Sequence, residues 1–227
     1  MEQADVELTI DNAKYFACAV DDIDAYQADI KLMNMFADDA AEQMKITIDS
    51  AILEGVITDV DSANKGTAAG EISGGFNLGG SAAAVQITKG NVLDYIVDCG
   101  TVLDEQNVPE SGRWMVIPSW IAGMIKKSDL KDASLTGDGS SVLRNGRIGM
   151  IDRFTLYLSN NIHTDTDTWT CYNVLFGTKA AITYASQITK VSSLESETTF
   201  GQLIRGLNVY GYKVIKPEAL GLLYCHK

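Results

Sequence analysis

The sequence predicts an α+β fold, and three observations carry that assignment. Strand-like alternation marks both ends of the chain. One uninterrupted helical stripe lies just inside the N-terminal strands. Between them, short helices and strands alternate with glycine-rich loops. The 227 residues, 46% hydrophobic and 21% charged, suffice for one large domain or two small ones around a sizeable core.

In chain order, Val6, Leu8 and Ile10 alternate with Glu7, Thr9 and Asp11, the two-residue period of a half-buried strand. Asp11–Asn12 supplies turn chemistry, and Lys14 to Val20 (KYFACAV) reads as a second, more buried strand. Tyr26, Ile30, Met33, Ala37, Ala40, Met44, Ile48 and Ala51 then follow at spacings of three and four, one continuous helix face. Neither proline nor glycine interrupts from Asp24 to Glu54, and Gly55 stands where a left-handed C-cap belongs. Such a helix is roughly 45 Å long. Its narrow stripe of alanine and methionine suits a helix lying along a surface or sheet.

The stretch from Ile57 to Ala84 is small, polar and glycine-rich and reads as a long loop. Asn91 is placed to cap a second helix through Leu93, Ile96, Val97 and Leu103, which stops before Pro109. The apolar run RWMVIP predicts a strand covered on both faces. Pro118–Ser119 opens a third helix carrying Trp120, Ile121, Met124 and Ile125, with Lys126 and Lys127 in its last turn. A loop over Ser134 to Arg147 precedes a long alternating strand through Met150, Phe154, Leu156 and Leu158. NNIHTDTDT is an exposed loop, Tyr172 to Phe176 a strand, and Lys179 to Ala185 a short helix. Leu203 to Ile215 and Ala219 to Cys225 complete the chain as strands bent at Pro217.

Composition excludes several functions. The net charge of −12 repels nucleic-acid phosphates, so sequence-specific DNA or RNA binding is not expected. No apolar run approaches membrane-spanning length, and the N-terminus has no signal-peptide pattern, so a soluble intracellular protein is expected. Cys18, Cys99, Cys171 and Cys225 stand far apart without a CxxC pair, as reduced thiols packed like small apolar residues. His163 and His226 are the available imidazole bases, one in a polar loop and one beside the C-terminal residue, and no GxSxG elbow occurs. GEISGGFNLGGS lacks the lysine and the strand–helix context of a phosphate loop, which leaves a mobile surface loop. Asp59 and Asp61 occupy the first and third places of a calcium loop, but Gly70 stands where its bidentate glutamate is required. Asp165 and Asp167 also lack ligand partners in sequence and read as solvated loop acids.

One cluster demands an explanation: VDDIDAYQADI packs Asp21, Asp22, Asp24 and Asp29 into eleven residues. An ion or acid/base site is one reading. The helix supplies a plainer one, with Asp24 as N-cap, Gln27 as its capping-box partner, and Asp21 and Asp22 beside the positive end of the helix dipole. No catalytic, cofactor or metal residue is assigned.

VELTIDNAKYFACAVDDIDAYQADIKLMNMFADDAAEQMKITID resembles the strand and spine-helix region of a family of tailed-bacteriophage major capsid proteins. NVLDYIVDCGTVLDEQNVPESGRWMVIP, SDLKDASLTGDGSSVLRNGRIGMIDRFTLYLSN and the segment from FGTKAAITYASQITK to ALGLLY resemble its downstream segments in order. The resemblance implies the Hong Kong 97-type capsid fold, shared with encapsulins and the floor of herpesvirus capsids. In that fold a peripheral domain holds a long spine helix and a sheet from both chain ends, and an axial domain is inserted between them. Carried over, residues 1–57 and 188–227 are peripheral, with the spine helix at about 24–54, and 58–187 are axial. The implied function is a structural subunit that, in the full-length protein, self-assembles into the pentamers and hexamers of an icosahedral shell around double-stranded DNA, with scaffold and portal proteins as further partners. It would be assembled in the bacterial cytoplasm and located in the virion. The family's N-terminal arm and most of its extended loop have no counterpart here, from which a monomer or small oligomer is expected. An encapsulin-like shell is the alternative, and a metal-dependent enzyme using Asp21, Asp22 and Asp24 a more distant one. An acidic inner face built from Asp29, Asp38, Asp39, Glu42 and Asp49 would keep the shell from binding packed DNA.

The helix-cap assignment sets the first test. Asp24→Ala costs about 1 kcal/mol in urea unfolding, and millimolar Ca²⁺, Mg²⁺ or Mn²⁺ leaves the melting point unmoved; an ion-dependent rise would instead make the cluster a metal site.

Overall fold

The computed structural model describes residues 6–21, 32–128, 149–196 and 200–227. Its elements are β1 (Asn12–Asp21), α1 (Leu32–Gly55), β2 (Val85–Gln86), α2 (Val92–Glu105), β3 (Arg113–Ile117), α3 (Ser119–Lys127), β4 (Met150–Ile151), β5 (Phe154–Leu158), β6 (Thr164–Thr166), β7 (Thr170–Thr178), β8 (Ile182–Glu195), β9 (Gly201–Val214) and β10 (Leu220–His226). The α+β assignment holds. Close contacts divide the chain into two units, Met1–Ile52 with Thr183–Lys213, and Leu53–Ile182 with Val214–Lys227.

The first unit joins strands from both ends of the chain. β1 lies antiparallel to β9 in a register running from Asn12 opposite Tyr210 to Asp21 opposite Gly201, and β8 flanks β9 on its other side. Along the N-terminal segment the even-numbered residues from Leu8 to Val20 are the less exposed ones, so a single two-residue period spans the whole stretch. The expected turn at Asp11–Asn12 is absent. Val6 to Asp11 continues the line of β1 without ladder pairing, its Glu7 carbonyl accepting from Lys213 Nζ at 2.8 Å. On α1 the stripe read from the sequence is the sheltered one: Ala37, Ala40, Met44, Ile48 and Ala51 are each less exposed than their neighbours on the outer face. Tyr212 donates its hydroxyl to the carbonyl of Ala51. Gly55 is the last helical residue and is not left-handed.

The second unit holds a mixed sheet in the order β2-β10-β7-β3-β5-β4, with β6 paired to β7. Its centre is the antiparallel pair of β7 and β10, from Leu220 opposite Gly177 to His226 opposite Cys171, and β10 is buried along its whole length. β10 was expected with the residues 188–227 of the peripheral part; its ladder partners β7 and β2 place it among the strands of the second unit. β3 joins β7 to β5, parallel to the latter over five residue pairs.

Three local expectations are overturned. Met150 to Leu158 is not one strand but a hairpin, turned at Asp152 and Arg153, both with positive φ (44° and 66°). Arginine is an unusual occupant of that conformation. It is held there by ion pairs from its guanidinium to Asp104 at 2.9 Å and Glu110 at 3.2 Å. Lys179 to Ala185 is a tight turn followed by β8, because Ile182, Thr183 and Tyr184 favour a strand. The glycine-rich segment is pinned by backbone bonds. Leu78, fully buried, donates to Gly66 and accepts from Tyr224, and Asn64 donates from Nδ2 to the carbonyls of Glu218 and Leu220.

Gly79 allows that attachment. Its φ is +78°, and a Cβ there would collide with the Tyr224 carbonyl. Gly79→Ala should therefore cost about 2–4 kcal/mol through strain and displacement of β10, read as a lower urea midpoint, whereas Gly90→Ala, in open space, should change it by less than about 0.5 kcal/mol.

Candidate assembly surfaces

The first unit has little interior. Among its described residues, Val20, Ile48, Ile204 and Tyr210 make up the buried apolar set. Two strands of fourteen residues and a helix of twenty-four therefore display apolar groups outward. Opposed residues of an antiparallel pair share a face, so Ala13, Tyr15, Ala17 and Ala19 of β1 line one side with Val209, Leu207, Arg205 and Leu203 of β9. Tyr15 on that side is 81% exposed, and Phe200 before β9 is 92% exposed. The outer side of α1 carries Met35, Phe36 and Ile46 beside the acids Asp38, Asp39, Glu42 and Asp49. Sheet faces of that composition are surfaces for partners.

The second unit is built around a buried cation. Arg113 on β3 is 1% exposed. Its Nε donates to the Pro109 carbonyl at 3.1 Å, Nη1 to Gly100 at 3.1 Å, and Nη2 to Val108 at 2.7 Å and to Asp104 Oδ1 at 2.6 Å. These acceptors lie in and just after the last turns of α2. That helix ends with Asn107 in the left-handed conformation (φ 54°), Asn107 N–H on the Asp104 carbonyl and Val108 N–H on the Leu103 carbonyl, with Leu103 and Val108 both buried. Burial acts to raise the Asp104 carboxyl, but hydrogen bonds and positive charge from Arg113 and Arg153 outweigh it and hold it below the ordinary carboxylate range.

The candidate chemical residues serve structure. Asp24, Gln27 and Asp22, with Asp29, lie outside the described residues; Asp21 closes β1. Asp61 caps a single 3₁₀ turn, accepting from Ala63 N at 2.8 Å, while Asp59 accepts from its neighbour Thr58. In the glycine-rich loop, the N–H groups of Ile72 and Ser73 are taken by Glu105 Oε2 at 2.9 and 3.1 Å, and the Ser73 bond leads in drawing that carboxyl down. The position where a phosphate would sit is filled by the chain's own carboxylate. Asp165 accepts from Asn173 Nδ2 at 2.6 Å and Asp167 from Ala82 N at 2.6 Å, so both are fixed rather than merely solvated. The His163 ring nitrogens face Glu54 at 3.7 Å and Asp165 at 3.3 Å, and His226 stacks flat on Trp169 at 5.1 Å. All four cysteines are free. Burial pushes the Cys99 thiol well up and Cys225 to about 12, so both stay protonated and unreactive. Among the described residues no group of three or more acids, histidines and cysteines could hold a metal, and no helix is long and apolar enough to cross a membrane. Sequence reading missed Arg113, whose isolated charge before an apolar run was the available signal, and the bare face around Tyr15, whose flanking alanines hide it in an averaged hydropathy.

A long helix beside strands from both chain ends, joined in one chain to a well-packed unit around a mixed sheet, is the α+β layout that the Hong Kong 97-type resemblance implies for a shell subunit. A family model described as phage capsid protein matches residues 7–223, and the chain belongs to that family. A chain from Mycobacterium phage Che8 is 26% identical, covering 98% of this chain and 76% of that one, with a TM-score of 0.76. The capsid of cyanophage P-SCSP1u matches at 14% identity over 97% and 74% of the two chains, with a TM-score of 0.69. The capsid of Ralstonia phage GP4 matches at 13% identity over 96% and 73%, with a TM-score of 0.66. No curated protein matches the chain. This is a structural protein of the phage capsid, located in the virion, and not an enzyme.

The Arg113 cluster sets a stability test. Arg113→Met strands three carbonyls and a carboxylate, and should cost about 3–5 kcal/mol in urea unfolding. Asp104 contributes stability above the unfolded-state carboxylate value of about 3.9, and loses it as pH falls through its lower folded value. Stability followed from pH 5 to pH 2 should therefore fall less steeply in Asp104→Asn than in the wild type.

Proposed function

We propose that this subunit assembles into rings of five and six copies that close as an icosahedral shell around double-stranded DNA. The first unit would be the peripheral part of the subunit and the second unit, with β10, the axial part. Scaffold and portal proteins are its other partners during assembly in the bacterial cytoplasm. The observation that carries this proposal is the exposed, mainly apolar face of β1 and β9, on a unit with four buried apolar residues among those described. Such a surface gains about 25 cal/mol for each Å² removed from water, and a neighbouring subunit would supply that burial. Closed symmetry repeats each weak contact many times, so none need be strong.

The acids Asp38, Asp39, Glu42 and Asp49 on the exposed side of α1 would face the DNA. Carboxylates there release no counterions on contact, which leaves the duplex free to slide as it is packed.

Cryo-electron microscopy of phage particles containing this chain tests both points. The chain is expected in five- and six-membered rings of the shell, with those four acids on the DNA side and Tyr15 covered by a neighbour. Density placing the chain outside the shell would overturn the assignment; acids on the outer surface would overturn the DNA-side role alone.

A further inference from the structure

We propose that an open cavity between the turn after α2 and the turn from β7 to β8 binds an organic oxyanion, a carboxylate or phosphate carried on a small apolar body. The cavity has a volume of about 710 Å³ and lies wholly in the second unit, a size typical of small-molecule sites. Three side chains carry the argument. Lys179 lines the cavity from the β7–β8 turn and Lys216 from the segment before β10. Neither ammonium has an ion pair or hydrogen bond with a described residue. The third is Thr178, which belongs to the same lining and is only 6% exposed. Its hydroxyl has no partner among the described residues, and the oxygen is not sealed from solvent. The ladder fixes the side it faces. Thr178 stands opposite Arg113 of β3, and opposed residues share a face. On that face the Arg113 guanidinium reaches the carbonyls of Val108 and Pro109, two residues of the cavity wall. A nearly buried hydroxyl without a partner is costly unless something fills its place, and an oxyanion between it and the two ammonium groups does so.

Charge and shape select the ligand class. The lining carries two ammonium groups against one carboxylate, Glu218, in a protein whose net charge is −12. Glu110, in the adjoining turn, is engaged by Arg153 at 3.2 Å. The local excess is therefore positive, and partial enclosure strengthens it relative to charges in open water. Ammonium and hydroxyl groups are donors, so the complementary headgroup is an acceptor with negative charge. Val108, Pro109 and Ile215 supply an apolar wall beside it, with Ile215 40% exposed, which suits a ligand with a hydrocarbon body. The walls are already fixed. Arg113 holds the α2 turn, Asn64 Nδ2 holds the Glu218 carbonyl at 2.7 Å, and the N–H groups of Ile215 and Lys216 both donate to the Ala181 carbonyl. Binding to such a preformed site spends little on ordering the protein.

Calorimetric titration with phenyl phosphate at low ionic strength tests the site. Saturable binding to one site per chain is expected, with a Kd of about 1 mM or tighter. Lys179→Gln/Lys216→Gln should weaken it by about tenfold or more, and Thr178→Val by about threefold. Glu218→Gln, which removes the opposing carboxylate, should tighten it by about threefold. Lys126→Gln/Lys127→Gln, which alters lysines outside the cavity, should leave it unchanged, and circular dichroism checks that every variant is folded. Competition by inorganic phosphate or by benzoate assigns the headgroup as phosphate or carboxylate; competition by neither would overturn the oxyanion assignment. Absence of saturation up to about 20 mM, or equal binding by all the variants, would overturn the site. Dependence on the two lysines with no effect of Thr178→Val would reduce it to surface charge and overturn it as well. None of these outcomes bears on the shell assignment, which rests on a different unit of the chain.

Discussion

The second unit depends on one buried guanidinium. A fully desolvated cation is tolerable only if its donors are matched, and Arg113 matches four of its N–H groups to atoms that lie within fourteen residues before it in the chain. The consequence is geometric. Three of those acceptors are backbone carbonyls at the close of α2 and in the turn that follows, so the helix end, the turn and the start of β3 become one rigid piece. Asp104 then extends the network to Arg153, which keeps a two-residue turn in a conformation arginine seldom adopts. β4 and β5 are joined by that turn, and β5 pairs along β3. A single charge thus links the helix, the central strand and the edge hairpin.

The two units solve the stability problem in opposite ways. The second has a conventional interior: β10 is buried throughout, Phe154 and Phe176 meet edge to face at 5.9 Å, and α2 contributes Ile96, Cys99, Val102 and Leu103. The first has long strands, a long helix and few buried side chains among its described residues. Ladder hydrogen bonds contribute only modestly once exchange with water is counted, so extended elements of this kind gain most from burial against neighbours. Gly206 shows how closely even this thin unit is fitted: a Cβ there would meet the ring of Phe16, its direct partner across the ladder.

Legibility in the sequence followed from how strongly burial forced a pattern. The stripe Ala37, Ala40, Met44, Ile48 and Ala51 was readable because a helix on a sheet shelters one line of residues and exposes the rest. RWMVIP was readable because a central strand leaves no polar side. β8 was not, since Ser186, Gln187, Lys190, Ser192 and Ser193 lie on a strand whose sides are largely exposed, where composition is free. The hairpin at Asp152–Arg153 was hidden because its turn lacks glycine and asparagine and is stabilised from elsewhere in the chain. The glycine-rich stretch misled for a related reason: its order comes from Asn64, Glu105 and β10, partners distant in sequence. The acidic cluster at Asp21 to Asp29 falls largely outside the described residues, so its capping role still rests on spacing alone.

Acidity and apolar exposure are usually opposed solutions to staying soluble, and here they are combined. A net charge of −12 keeps free subunits apart at long range, because like charges repel over about 8 Å at physiological salt. Apolar contact acts only at a few ångströms and gains in proportion to the area covered. A subunit governed by both terms resists random aggregation, in which small apolar contacts meet the full repulsion, yet accepts an ordered neighbour that covers a whole sheet face at once. Assembly on these terms would be cooperative, with weak first contacts and more area buried as each copy is added. On the proposed assembly, exposed apolar groups such as Tyr15 and Leu207 would supply the drive, and acids such as Asp39 and Glu42 the repulsion that it must exceed.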